Sequence, residues 1–117
     1  MKKNSRKNPY KADRVASEIE KIVQEVVTYE IKDPRVAGNA TVTEVALTPD
    51  LQNCKIYVQV LEEDKKSVMD GLKNATGFVR HAIADSLDMR KTPEVMFVLD
   101  ESLDRMNRIE ELLKQIK

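Results

Sequence analysis

Covalent or hydrolytic catalysis needs a nucleophile beside a base, or a set of metal ligands, and this sequence of 117 residues offers neither. His81 is the only histidine and Cys54 the only cysteine. No serine or cysteine stands at a known catalytic spacing from His81, no Cys/His set suits zinc, and no Gly-rich phosphate loop occurs. The carboxylates are numerous but fall on helix faces mixed with lysine and arginine, where solvated surface is the default. The reading is therefore non-catalytic, with no cofactor and no metal. The chemistry these residues do support is the neutralisation of a polyanion. Lys2, Lys3, Arg6, Lys7, Lys11 and Arg14 face only Asp13 within residues 2–14, although the whole chain balances 20 basic against 20 acidic residues. The other reading of this stretch is a solubilising tail.

Further along, Arg35, Arg80, His81, Arg90 and Lys91 are candidate anion contacts, each with a plain alternative. Arg35 could be a solvated residue after the helix stop Asp33-Pro34. Arg90 and Lys91 could complement a helix C-terminus, and His81 could pair with Asp85. Arg80 borders a buried stripe and is expected to reach solvent without needing a buried partner. Cys54 shares the apolar face of a strand, so burial is the expectation rather than reactivity. Tyr10, Tyr57 and Phe78 are candidate stacking platforms, with packing the stronger expectation for Tyr57 and Phe78.

Elements must hold these groups in place. Ala12, Val15, Ile19, Ile22, Val26 and Tyr29 recur at three- and four-residue spacing and predict one helical stripe, starting at Asn8-Pro9 and stopping near Asp33-Pro34. Thr41 to Thr48 and Cys54 to Leu61 predict two strands of an antiparallel hairpin around Thr48-Pro49-Asp50-Leu51-Gln52-Asn53. Glu62-Glu63-Asp64 brings acidic charge to the start of a second helical stripe, Val68 to Leu87, which Gly77 interrupts. Thr92-Pro93 opens a third strand, Val95 to Leu99, whose apolar run reads as interior. Ser102 is then positioned to cap a last helix with Met106, Ile109, Leu113 and Ile116 on one face. The connection between the second and third strands is long and helical, as a right-handed crossover between parallel strands requires. The expectation is one α+β domain over residues 1–117, with a three-stranded mixed sheet covered by helices on one face and a flexible basic arm over residues 1–8. The absence of an apolar leader or a membrane-length run predicts a cytoplasmic protein with no membrane partner.

Several short stretches, in order, resemble the ribosome-binding factor A family. They are Arg14-Val15-Ala16, Asp33-Pro34-Arg35, Thr48-Pro49-Asp50-Leu51, Lys55-Ile56-Tyr57-Val58, Ala75-Thr76-Gly77-Phe78-Val79-Arg80, Pro93-Glu94-Val95-Met96-Phe97 and Asp100-Glu101-Ser102. Met106 departs from the pattern, standing where the resemblance places glycine. The resemblance implies a type II KH-like fold in which Ala75-Thr76-Gly77 forms a structural kink in place of a Gly-x-x-Gly loop. It also implies binding to free 30S subunits and late maturation of 16S ribosomal RNA around its 5′-terminal helix, above all in the cold. On that reading Lys3, Arg6, Lys7, Lys11, Arg14, Arg35, Arg80, His81, Arg90 and Lys91 are the candidate RNA-binding residues of a monomer. Docking of exposed helices on ribosomal proteins or an assembly GTPase is the alternative.

Overall fold

The computed structural model describes residues 9–61, 63–89 and 91–116, with the backbone alone for 9, 10, 103–108 and 116. Helix α1, Pro9–Glu25, begins at a proline, whose missing N–H is no loss in a first turn. Ala12, Ala16, Ile19 and Val23 form its buried face, and Val15 and Ile22 flank that face half-buried. The helix then widens into one π turn, Val26–Glu30, in which Ile31 N–H donates to the Val26 carbonyl at 3.0 Å. The wider turn carries Val26, Val27 and Ile31 into the core and leaves Glu30 outside. Tyr29, expected on the buried stripe, is 78% exposed as a result.

Strands β1, Ala40–Leu47, and β2, Asn53–Val60, pair antiparallel, with Ala40 opposite Val60 and Leu47 opposite Cys54. A bulge between Val42 and Glu44 interrupts the register. There Val42 N–H donates to Gln24 Oε1 at 2.9 Å, tying α1 to the exposed edge of β1. Asp64 caps α2, Lys65–Asn74, by accepting Ser67 N–H at 3.1 Å. After α3, Thr76–Leu87, strand β3, Glu94–Leu99, returns parallel to β2 with Val58 opposite Leu99. Helix α4 spans Ser102–Ile116.

The sheet order is β1-β2-β3, so β3 is an edge strand rather than the interior strand its apolar run predicts. Val95, Phe97 and Leu99 pack against the core, whereas Met96 on the other face is 58% exposed. The run therefore marks one covered and one open face, not a central position. Helices α1 to α3 all lie on the covered face, where Ile19, Val23, Leu72, Val79 and Ile83 meet Cys54, Ile56 and Val58. Burial pushes the Cys54 thiol up to about 11, consistent with a packed apolar role. Thr41, Thr43 and Lys55 face solvent on the opposite side.

Asp100 supplies an acceptor at the start of α4. It takes Ser102 N–H at 3.0 Å on Oδ1 and the Thr43 hydroxyl at 2.7 Å on Oδ2. Ile109, Leu112 and Leu113 of α4 are exposed, and the side chains of Met106 and Ile116 lie outside the described residues. No helix among the described residues is long and apolar enough to cross a membrane.

Candidate nucleic-acid interface

Helices α2 and α3 meet at Ala75, whose φ of −93° and ψ of 5° place it in the bridge region and break the helical path. Its N–H still bonds back to the carbonyls of Gly71 and Leu72, and its own carbonyl receives Val79 N–H at 3.0 Å. The kink expected at Ala75-Thr76-Gly77 is thus present, but its bent residue is Ala75. Gly77 lies inside the first turn of α3 without positive φ, and a Cβ added there would meet nothing within 4 Å. Gly77→Ala is therefore expected to hold or raise stability, by no more than about 1 kcal/mol. A lowered thermal midpoint would show that glycine is needed at the bend. Phe78, expected to pack, is 47% exposed beside it.

Arg80 has internal partners that the sequence does not announce. Its Nε donates to the Pro93 carbonyl at 3.1 Å and its Nη2 to the Thr92 carbonyl at 3.2 Å, with Glu94 at 3.8 Å. The expectation that this arginine needs no partner is corrected: it fastens α3 to the start of β3. Replacing it by glutamate would set a carboxylate against two carbonyls and Glu94, so such a variant perturbs the fold as well as any contact.

Three elements enclose a trough of about 490 Å³. Lys11, Val15 and Glu18 line it from α1, Asp50, Leu51 and Gln52 from the hairpin turn, and Leu87, Asp88, Met89 and Lys91 from the end of α3 and the loop beyond. A second hollow of about 410 Å³ shares Gln52 and Lys91 with it and continues to Asn53, Arg80 and Thr92. Lys11 and Lys91, far apart in sequence, thus border the trough, and Lys91 and Arg80 the adjoining hollow. Arg14 is exposed one helical turn from Lys11, flanking the same rim. Two of the nearby carboxylates already have partners: Asp50 accepts the Thr48 hydroxyl at 2.7 Å and Gln52 N–H at 3.0 Å, and Glu94 sits by Arg80. The same two bonds hold the Asp50 carboxyl below its ordinary value.

Arg35 and His81 stand elsewhere. His81 Nε2 lies 3.3 Å from Asp85 Oδ2, both exposed one turn apart on α3. Arg35 is gripped by Asp33, whose carboxylate accepts its backbone N–H at 2.9 Å, its Nε at 3.1 and 3.2 Å, and its Nη2 at 2.7 Å. These bonds hold the Asp33 carboxyl below its ordinary 3.8 and the guanidinium above its own. A carboxyl depressed on folding adds stability that is complete above its unfolded value and fades as pH falls through the folded one. Wild type is therefore expected to lose stability from 3.8 downward more steeply than Asp33→Asn. Urea midpoints taken across that range check this, and parallel acid limbs would contradict it. Lys3, Arg6, Lys7 and Arg90 lie outside the described residues.

The family model described as ribosome-binding factor A matches residues 11–113, from the first turns of α1 to near the end of α4. The chain belongs to the ribosome-binding factor A family. It is 38% identical over 113 residues to ribosome-binding factor A of Caldanaerobacter subterraneus subsp. tengcongensis, covering 95% of this chain and 93% of that one. With the protein of the same name from Thermosynechococcus vestitus it shares 46% identity over 106 residues, 88% of this chain and 84% of the relative. The solution structure of a putative ribosome binding factor A from Thermotoga maritima superposes with a TM-score of 0.70 at 30% identity, over 80% of this chain and 90% of that one. A Thermus thermophilus ribosome binding factor A model, fitted into a cryo-EM map of its 30S complex, shares the fold with a TM-score of 0.64 at 23% identity, over 75% of this chain and 93% of that one. The order helix, strand, strand, two helices joined at a kink, strand is the one the family resemblance implies. What the ribosome-binding factor A pattern did not reveal is the trough, because Gln52, Leu51 and Met89 carry no charge to draw attention and meet only through the fold.

Proposed function

We propose that this chain acts without catalysis as a ribosome assembly factor, binding RNA of free 30S subunits and promoting late maturation of 16S ribosomal RNA near its 5′ end, most of all in the cold. The observation that carries the reading is the trough, which brings Lys11 and Lys91 to one surface, with Arg80 in the adjoining hollow, in a member of this family. Lysines at its rim neutralise phosphates, and the basic residues that precede α1 in the sequence add further positive charge. The likeness to the Thermus protein, whose 30S complex is known, supports the subunit as the target. The chain works as a cytoplasmic monomer on this reading.

A factor that acts during assembly must leave before the subunits join. Sedimentation with purified particles should therefore show co-migration with free small subunits and none with assembled ribosomes. Equal co-migration with both would refute the reading. The exposed Ile109, Leu112 and Leu113 of α4 favour a second contact, with a protein such as an assembly GTPase. Subunit association that survives nuclease digestion would give that contact the leading part.

A further inference from the structure

We propose that the apolar floor of the trough, made by Val15, Leu51, Leu87 and Met89, receives one unstacked base of the bound RNA, and guanine in preference to the others. This rests on the RNA reading above and names the part of the RNA that enters. Among the described residues only two that are not glycine have positive φ, Leu51 at 62° and Asp88 at 51°, and both line this trough. A left-handed backbone is unfavourable for any residue with a Cβ, and for a bulky side chain it is a true outlier. The turn itself does not ask for leucine. Its bonds, from Leu51 N–H to the Thr48 carbonyl at 2.8 Å and from Gln52 N–H to Asp50, are made by backbone and aspartate, and glycine would satisfy them without strain. Asp88 ends α3 in the same backbone region, which aspartate tolerates better than most residues, so the strain is concentrated at Leu51. Strain kept at Leu51, on the surface that Asp88 also lines, points to a function for that surface.

The chemistry of the lining selects the ligand. The trough, about 490 Å³, lies within the range of small-ligand sites, roughly 300–1,000 Å³. Its apolar floor suits the face of a base, and single-stranded RNA is recognised by bases turned out of the stack onto such surfaces. Lys11 and Lys91 stand at the rim, where the phosphates on either side of an inserted base would pass. Glu18 and Asp88 offer carboxylates with no ion pair among the described residues. A carboxylate accepts two parallel donors, and guanine alone among the standard bases has two adjacent donors, N1–H and the 2-amino group, on its Watson–Crick edge. Its neighbouring O6 accepts from a lysine.

The test uses the full chain with isotope-labelled methyl groups and backbone amides and three pentanucleotides: UUGUU, the same with inosine at the centre, and UUUUU. UUGUU should bind at least about fivefold tighter than UUUUU, since one bidentate base contact discriminates by that much or more. Inosine, which lacks the 2-amino group, should fall between them. Ring-current shifts should appear at the methyl groups of Val15, Leu51 and Leu87. Leu51→Gly and Asp88→Gly relieve the backbone while removing the lining, so each should keep a wild-type-like thermal midpoint and lose the guanine preference. Equal affinity for all three oligonucleotides, or shifts at Lys11 and Lys91 with silent floor methyls, would overturn the base site and leave the RNA reading standing. No shift anywhere on the trough would overturn both.

Discussion

Gly71→Ala should destabilise the domain, in contrast to Gly77→Ala one helical segment later. A Cβ on Gly71 would lie 2.7 Å from Val36 Cγ2, 3.2 Å from Asp33 Oδ2 and 3.5 Å from Arg35 Nε. The contact at 2.7 Å decides the outcome, because Val36 has no room to yield. Val36 is fully buried, β-branched, and fixed by its N–H bond to the Asp33 carbonyl at 2.9 Å; Asp33 and Arg35 are locked to each other. Overpacking of this kind costs about 1–3 kcal/mol. Alanine returns at most about 1 kcal/mol through helix propensity, so the loss prevails. The thermal midpoint should fall by several degrees, and the kink, held to α2 through Ala75, should shift relative to the Asp33-Pro34-Arg35 turn. Thermal unfolding of the two alanine variants side by side gives the answer. Equal stability of Gly71→Ala and wild type would mean that the turn is not packed on α2 as described.

These two glycines show how far the sequence could be read. Gly77 attracts attention because it interrupts an amphipathic pattern, yet its surroundings are open. Gly71 sits unremarked between Asp70 and Leu72, and its purpose is a contact with Val36, distant in the chain, that no local pattern encodes. Strand alternation at Cys54, Ile56, Val58 and Val60 was legible because one face is buried and period two records it. The polarity of β3 misled because an apolar run reports burial, not position in the sheet. Tyr29 was misplaced for a different reason: period counting assumes 3.6 residues per turn, and the π turn at Val26–Glu30 resets the count just before it matters. Arg80 looked free because its carbonyl partners at Thr92 and Pro93 lie beyond a loop. The basic residues themselves were legible by type, but their grouping was not, since Lys11 and Lys91 become neighbours only when α1 packs beside the end of α3.

Reversing both lysines of the trough, Lys11→Glu with Lys91→Glu, should weaken association with free small subunits and flatten its dependence on salt. Each phosphate contact contributes about −0.9 to the slope of log affinity against log salt on duplexes and about −0.7 on single strands. Losing two contacts therefore removes about 1.8 or 1.4 from the slope, before any added repulsion. The fold should survive. Lys91 is exposed, Lys11 is exposed on α1, and neither has an ion pair among the described residues. An unchanged slope would assign RNA contact to another surface, with the exposed Phe78 beside the kink the next place to look.

The most direct measurement is photo-crosslinking from the trough itself. Gln52 lines both hollows, exposed and without a side-chain bond that the fold depends on. Replacing it with a photoreactive phenylalanine derivative and irradiating the chain on free small subunits should yield a covalent adduct with RNA, confined to one or two neighbouring sites when mapped by reverse transcription. Adducts with ribosomal protein alone, or RNA adducts scattered along the molecule, would contradict the account.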